Sequence, residues 1–89
     1  MSELEVQVVN RLGLHARAAA RLVHLANGFR SRITVSRGDS TVDGKSILGL
    51  LTLAAAKGTR LRLTATGEDA ERAVAQLAAL IRDRFGEED

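Results

Sequence analysis

The chain predicts an α+β open-faced two-layer sandwich, a four-stranded and mainly antiparallel sheet with three helices on one face, in the order β-α-β-β-α-β-α. Two observations carry this expectation. Three segments alternate apolar and polar residues with a period of two, and a hairpin turn leads from the second into a short fourth strand, so each strand has one face for a core and one for water. The stretches between and after them repeat their apolar residues at helical spacing, and such stripes are buried against the apolar face of the sheet.

The first strand is read over 3–9, ELEVQVV, with Leu4, Val6 and Val8 on one face. From Ala16 to Asn27 the period lengthens, and Ala19, Leu22, Val23 and Ala26 form one helical stripe that Asn27-Gly28 brings to a stop. Ile33 and Val35 point inward from a strand at 31–37, and Gly38-Asp39 turns the chain into a short partner at 40–43. Ser46 caps a short helix over roughly 47–53. Residues 59–66, TRLRLTAT, alternate again with Leu61, Leu63 and Ala65 inward. After Gly67 a last helix places Val74, Leu77, Ile81 and Phe85 on its apolar stripe.

The 89 residues are read as one domain, 1–89, without repeats or linkers. A chain of this size buries roughly 60–70% of the surface it exposes unfolded, enough for one modest core and no large enclosed cavity. With Phe29 and Phe85 the only aromatics, that core is aliphatic, and with no cysteine it has neither disulfides nor thiolate metal sites. The N-terminus shows no signal-peptide pattern, and the longest apolar run, 47–56, is too short to span a bilayer. The chain reads as cytoplasmic. Thirteen Lys and Arg against eleven Asp and Glu, with an acidic GEED ending, leave no basic arm for nucleic acid.

The stretch GLHARAAA, 13–20, sets His15 at a helix mouth, a position that usually favours Ser, Thr, Asp or Asn. The first amides of a helix lack intrahelical partners and the dipole makes that end electropositive, so a phosphate is welcome there. Arg17 adds a guanidinium able to hold it by charge-assisted hydrogen bonds. The parts suit a covalent phosphoryl relay. On spacing alone, an imperfect cap on a surface helix explains the histidine as well.

His24 lies nine residues further on, more than ~13 Å away along the helix and on the other side, so the two imidazoles cannot share a metal. Ser46 would accept a phosphate without melting its helix, because the new charge faces the helix N-terminus. Beyond it Ile47, Leu48, Leu50 and Leu51 are too many large apolar residues for one face of two turns, so part of the set is expected to form a partner-binding patch. The outer sheet face, with Glu5, Arg60 and Arg62 among its residues, carries no aromatic platform for RNA and suits cross-strand ion pairs. A hydrolase pairing Ser46 with His15 lacks a nucleophile-elbow pattern.

At these residues the chain resembles the histidine-containing phosphocarrier proteins, the HPr family: NRLGLHARAAARLV at 10–23 and GKSILGLLTLAAAKGT at 44–59 are similar to its two signature segments. The resemblance implies that Nδ1 of His15 takes a phosphoryl group from enzyme I and passes it to enzyme II (IIA-type) components of the phosphoenolpyruvate-dependent phosphotransferase system. It implies that Arg17 and the amides of Ala16 and Arg17 support the phosphate, and that Ser46 occupies a regulatory position phosphorylated in some members by an HPr kinase/phosphorylase. The partner surface would include Ala20, His24, Ile47, Leu48, Leu51 and Thr52. The chain would be a monomeric covalent carrier without cofactor, metal, nucleic acid or membrane insertion. A regulatory relay of the same fold, serving nitrogen or carbon control without moving sugar, is the alternative. One departure is visible: the family pattern His-x-Arg-Pro ends here in Ala18.

Overall fold

The computed structural model describes residues 1–89. Its elements are β1 (Ser2–Gln7), α1 (Ala16–Ala26), β2 (Arg32–Arg37), β3 (Ser40–Asp43), α2 (Ile47–Thr52), β4 (Arg60–Thr66) and α3 (Ala70–Arg82), followed by a 3-10 turn at Arg84–Gly86. The strands form one antiparallel sheet in the order β1-β4-β2-β3. The three helices lie on one face, as the alternation requires. Register explains the layering: Val6 stands opposite Leu61, and Leu63 stands opposite Leu4 on one side and Val35 on the other. These residues line the core face with Ile33 and Ala65, and Leu4 alone among them is only partly buried. On the outer face Arg62 pairs with Glu3 at 3.9 Å and Glu5 at 3.7 Å.

Helix α1 buries Ala18, Ala19, Leu22, Val23 and Ala26, one residue wider than the periodicity indicates. The first strand is shorter than read from the sequence. Val8 is fully buried but lies past the end of β1, where it still exchanges backbone hydrogen bonds with Gly58 (2.7 Å) and Thr59 (2.9 Å). The last helix is also shorter, because Phe85 does not continue its stripe. Helix α3 ends at Arg82, and Arg84 (φ 57°) and Phe85 (φ 54°) take left-handed backbone angles that reverse the chain. Such angles cost a non-glycine residue about 1–2 kcal/mol, so about 2–4 kcal/mol for the pair, much of which burial of a whole aromatic side chain, worth about 1.5–3 kcal/mol, offsets. The ring of Phe85 is completely enclosed. Arg21 of α1 donates to the Phe85 carbonyl, so the turn is tied to the helix that begins at the candidate site.

The loop before β2 is held by Asp69, at the start of α3. Its carboxylate accepts from the amides of Arg30 (2.9 Å) and Ser31 (3.0 Å) and from the buried Ser31 hydroxyl. The Ser31 hydroxyl bond, followed by the Arg30 amide, pulls the Asp69 carboxyl down to about 2. No helix is long and apolar enough to cross a membrane.

Candidate functional site

The approach to α1 is built on Gly13, whose φ of 67° turns the chain tightly against the backbone at Ala55. Leu14 donates its amide to the Ala55 carbonyl at 2.8 Å and buries its side chain, which leaves His15 facing outward at the helix mouth. His15 is the N-cap residue with extended backbone (φ −81°, ψ −179°), and its side chain makes no capping bond. The amides of Ala16, Arg17 and Ala18 therefore have no partner in the chain, and the first turn holds no acidic residue. This is the electropositive, donor-rich end that receives anions. Arg17 is exposed beside it, and both residues line an open basin of about 570 Å³.

The other wall of that basin comes from the far end of the chain. The C-terminal tail turns back after Phe85, and the amide and guanidinium of Arg11 hold Asp89, the amide reaching the Asp89 carbonyl at 3.0 Å and Nε its carboxylate at 3.5 Å. Between these anchors Glu87 contacts His15 Nε2 through one carboxylate oxygen and accepts from Asn10 Nδ2 at 2.8 Å through the other. Asn10 is fully buried, and its amide nitrogen also donates to the Gly13 carbonyl at 2.8 Å. The Asn10 bond, joined by the His15 contact and opposed by partial burial, holds the Glu87 carboxyl below the usual carboxylate range. Sequence reasoning missed both residues: GEED reads as a solvated acidic ending, and the pair is separated by 77 positions.

Ser46 is the N-cap of α2, and its Oγ accepts from the Gly49 amide at 3.0 Å. The hydroxyl is thus engaged within its own helix and His15 with Glu87, so no Ser46–His15 pair exists. Of the four large apolar residues of α2, Leu50 is fully buried and Leu51 packs partly on the core. Ile47 and Leu48 are 40% and 78% exposed, so the surplus apolar surface faces solvent as the sequence indicates. Thr52 is exposed, its hydroxyl bonded to the Gly49 carbonyl at 2.6 Å. Ala20 and His24 line a second groove of about 560 Å³ with Arg17, Arg21, Leu25 and Leu80. His24 contacts neither His15 nor a set of acidic ligands, and no three His, Cys, Asp or Glu side chains converge to hold a metal ion.

An imidazole at an anion-receptive helix mouth, in an open basin and not an enclosed pocket, is the layout of a group carrier. A family model described as the PTS HPr component phosphorylation site matches residues 2–83. The phosphocarrier protein HPr of Pseudomonas aeruginosa is 47% identical over 88 residues, and that of Neisseria meningitidis 45% over 87, each match covering 98% of both chains. A crystal structure of HPr-C-His from Thermoanaerobacter tengcongensis superposes with a TM-score of 0.95 at 40% identity, covering 100% of both chains. The chain belongs to the HPr family and has its general function, carrying phosphoryl groups in a phosphotransfer chain. Proteins of this family generically interact with enzyme I and IIA components.

Proposed function

We propose that His15 is the phosphoacceptor, receiving the group from enzyme I and delivering it to IIA-type components. The observation that carries this reading is the set of unpartnered amides at Ala16, Arg17 and Ala18, directly behind an outward-facing imidazole. In the reaction the Nδ1 lone pair of His15 attacks phosphorus, the N–P bond forms, and the donor's bond to phosphorus breaks with its electron pair returning to the donor. The transferred group then lies against the Ala16 and Arg17 amides and within reach of the Arg17 guanidinium, which together bind its charge. Nothing in that cradle is covalent, so the group is free to leave for the next acceptor.

Docking uses the surface beside the site, apolar and exposed at Ile47 and Leu48 and extended by Leu51 and Thr52 of α2 with Ala20 and His24 of α1. Helices α1 and α2 pack against each other, so these residues belong to one neighbourhood of the molecule. Ser46 at the edge of that surface is a regulatory position, where a phosphate would be tolerated by the helix end yet place charge beside Ile47 and Leu48. The experiment is phosphoryl transfer from phosphoenolpyruvate through enzyme I to a IIA protein. The native chain transmits the group, Arg17→Ala transmits it more slowly with its fold intact, and His15→Ala transmits none. Transfer through His15→Ala at the native rate overturns the assignment.

A further inference from the structure

We propose that Arg37 is a positioning residue for phosphoryl transfer, its guanidinium fastening the C-terminal end of α2 and so seating the docking helix, an inference that rests on α2 being part of the docking surface. Arg37 is the last residue of β2 and pairs with Ser40 across the hairpin turn. It shares the strand parity of Ile33 and Val35, so its side chain leaves the sheet on the helix side, just beyond the edge of the core. There Nη1 donates to the Leu53 carbonyl at 2.7 Å and to the Ala54 carbonyl at 3.1 Å. No carboxylate pairs with Arg37, and no backbone amide donates to either carbonyl.

This end of α2 needs an outside partner. The helix has 6 residues and no basic residue in its last turn, and a helix so short is held by its surroundings more than by its own ladder. Its last carbonyls form the negative end of the dipole, where a cation is favoured. The chain then leaves through Ala54 at φ 49°, a left-handed angle at which glycine is usual. Arg37 grips the carbonyls immediately before and after that strained Cα, so one side chain both caps the helix and holds its exit.

Two functional features hang from this turn. On its N-terminal side lie Ile47, Leu48, Leu51 and Thr52, on a helix short enough that a shift of its end moves them all. On its C-terminal side Ala55 is buried, and its carbonyl accepts from the Leu14 amide at 2.8 Å, the bond beside which His15 faces outward. Without the clamp, the end of α2 leaves its seat for part of the time. Enzyme I docks only on the seated form, so affinity falls with the seated fraction while the docked complex reacts at its native rate.

The test follows transfer from phospho-enzyme I over a range of concentrations of this chain. Arg37→Met keeps the aliphatic stem and removes the donors, at an exposed position that leaves the core intact. It is expected to raise KM about tenfold, equivalent to about 1.4 kcal/mol, with kcat at its native value. Amide exchange should quicken at Leu53, Ala54 and Leu14 while the amides shared by β1 and β4 keep their protection. Adding Ala54→Gly relieves the left-handed angle and should return most of the KM. Leu4→Ala is the control for lost stability alone: Leu4 lies on β1, at the opposite edge of the sheet from β3, and its KM should stay native. Native KM and exchange in Arg37→Met, a defect that Ala54→Gly does not reduce, or an equal rise in Leu4→Ala overturns the role of Arg37. A native KM in Leu48→Ala overturns the docking reading instead, so the two failures are distinguished.

Discussion

Replacing Gly13 by alanine tests the geometry that presents His15. At φ 67° an L residue is strained by about 1–2 kcal/mol. A Cβ built there would also lie 2.5 Å from the Ala55 carbonyl oxygen and 3.0 Å from the Ala56 Cα, both backbone atoms that cannot rotate aside. Relieving such a contact by backbone movement costs a further ~1–3 kcal/mol. Gly38→Ala is the internal control, because φ there is 56° and nothing lies within 4 Å of the added Cβ. Its cost is the conformational strain alone, reduced by ~0.4–1 kcal/mol through the stiffer unfolded chain. Gly13→Ala should therefore exceed Gly38→Ala by about 2 kcal/mol, or roughly 8 °C or more in Tm for a domain of this size. Urea titration and thermal melting of both variants give the comparison. The Gly13 carbonyl accepts from the His15 amide and from Asn10 Nδ2, so phosphoryl acceptance should fall in Gly13→Ala and stay native in Gly38→Ala. Equal destabilisation by the two substitutions would refute the claim that the close approach to Ala55 shapes the site.

Ser46→Ala removes the acceptor of the Gly49 amide and should cost about 1 kcal/mol in urea unfolding. Ser46→Asp should keep the cap and the fold but slow transfer from enzyme I, measured under steady-state conditions. Asp69→Ala should destabilise the chain at neutral pH by freeing the loop at Arg30 and Ser31. The folded-state carboxyl lies at about 2, below its ordinary 3.8, so the stabilisation is complete above pH 3.8 and lost as pH falls toward 2. Melting curves of native and variant protein should accordingly converge in that window. Ala18→Pro should change stability by less than ~1 kcal/mol and transfer by only a few-fold, since the Ala18 amide has no partner to lose. A site that works only with proline would show the native chain inert and the variant active.

The strands and the stripes of α1 and α3 were legible because burial on one face imposes a period that side chains must obey. Leu61, Leu63 and Ala65 alternate on the sequence as they do on the sheet. Capping chemistry located Ser46, whose hydroxyl accepts from the Gly49 amide, and an unusual residue at a helix mouth drew attention to His15, whose side chain makes no capping bond. Phe85 was misplaced for the opposite reason. It keeps the helical spacing from Ile81, and only the left-handed angles at Arg84 and Phe85, set by the fit of the ring into the core, show that the helix has ended. The tail that follows inherits that reversal. Glu87 meets His15 and Asn10 because a turn with no glycine before Gly86 folds back, a long-range event with no periodic trace. An asparagine ahead of Arg11-Leu12-Gly13 reads as a turn residue, and nothing local marks it as the buried support of a carboxylate.

The most direct test of the central claim is to locate the phosphoryl group itself. Protein charged with phosphoenolpyruvate and enzyme I, kept alkaline because a phosphoramidate is lost in mild acid, is read by 31P and ring-nitrogen NMR. One phosphoryl group per chain is expected, bonded to Nδ1 of His15, with the amide signals of Ala16 and Arg17 shifted as they take up the phosphate. A group bonded to Nε2 of His15, to His24 or to an acid-stable oxygen would contradict it.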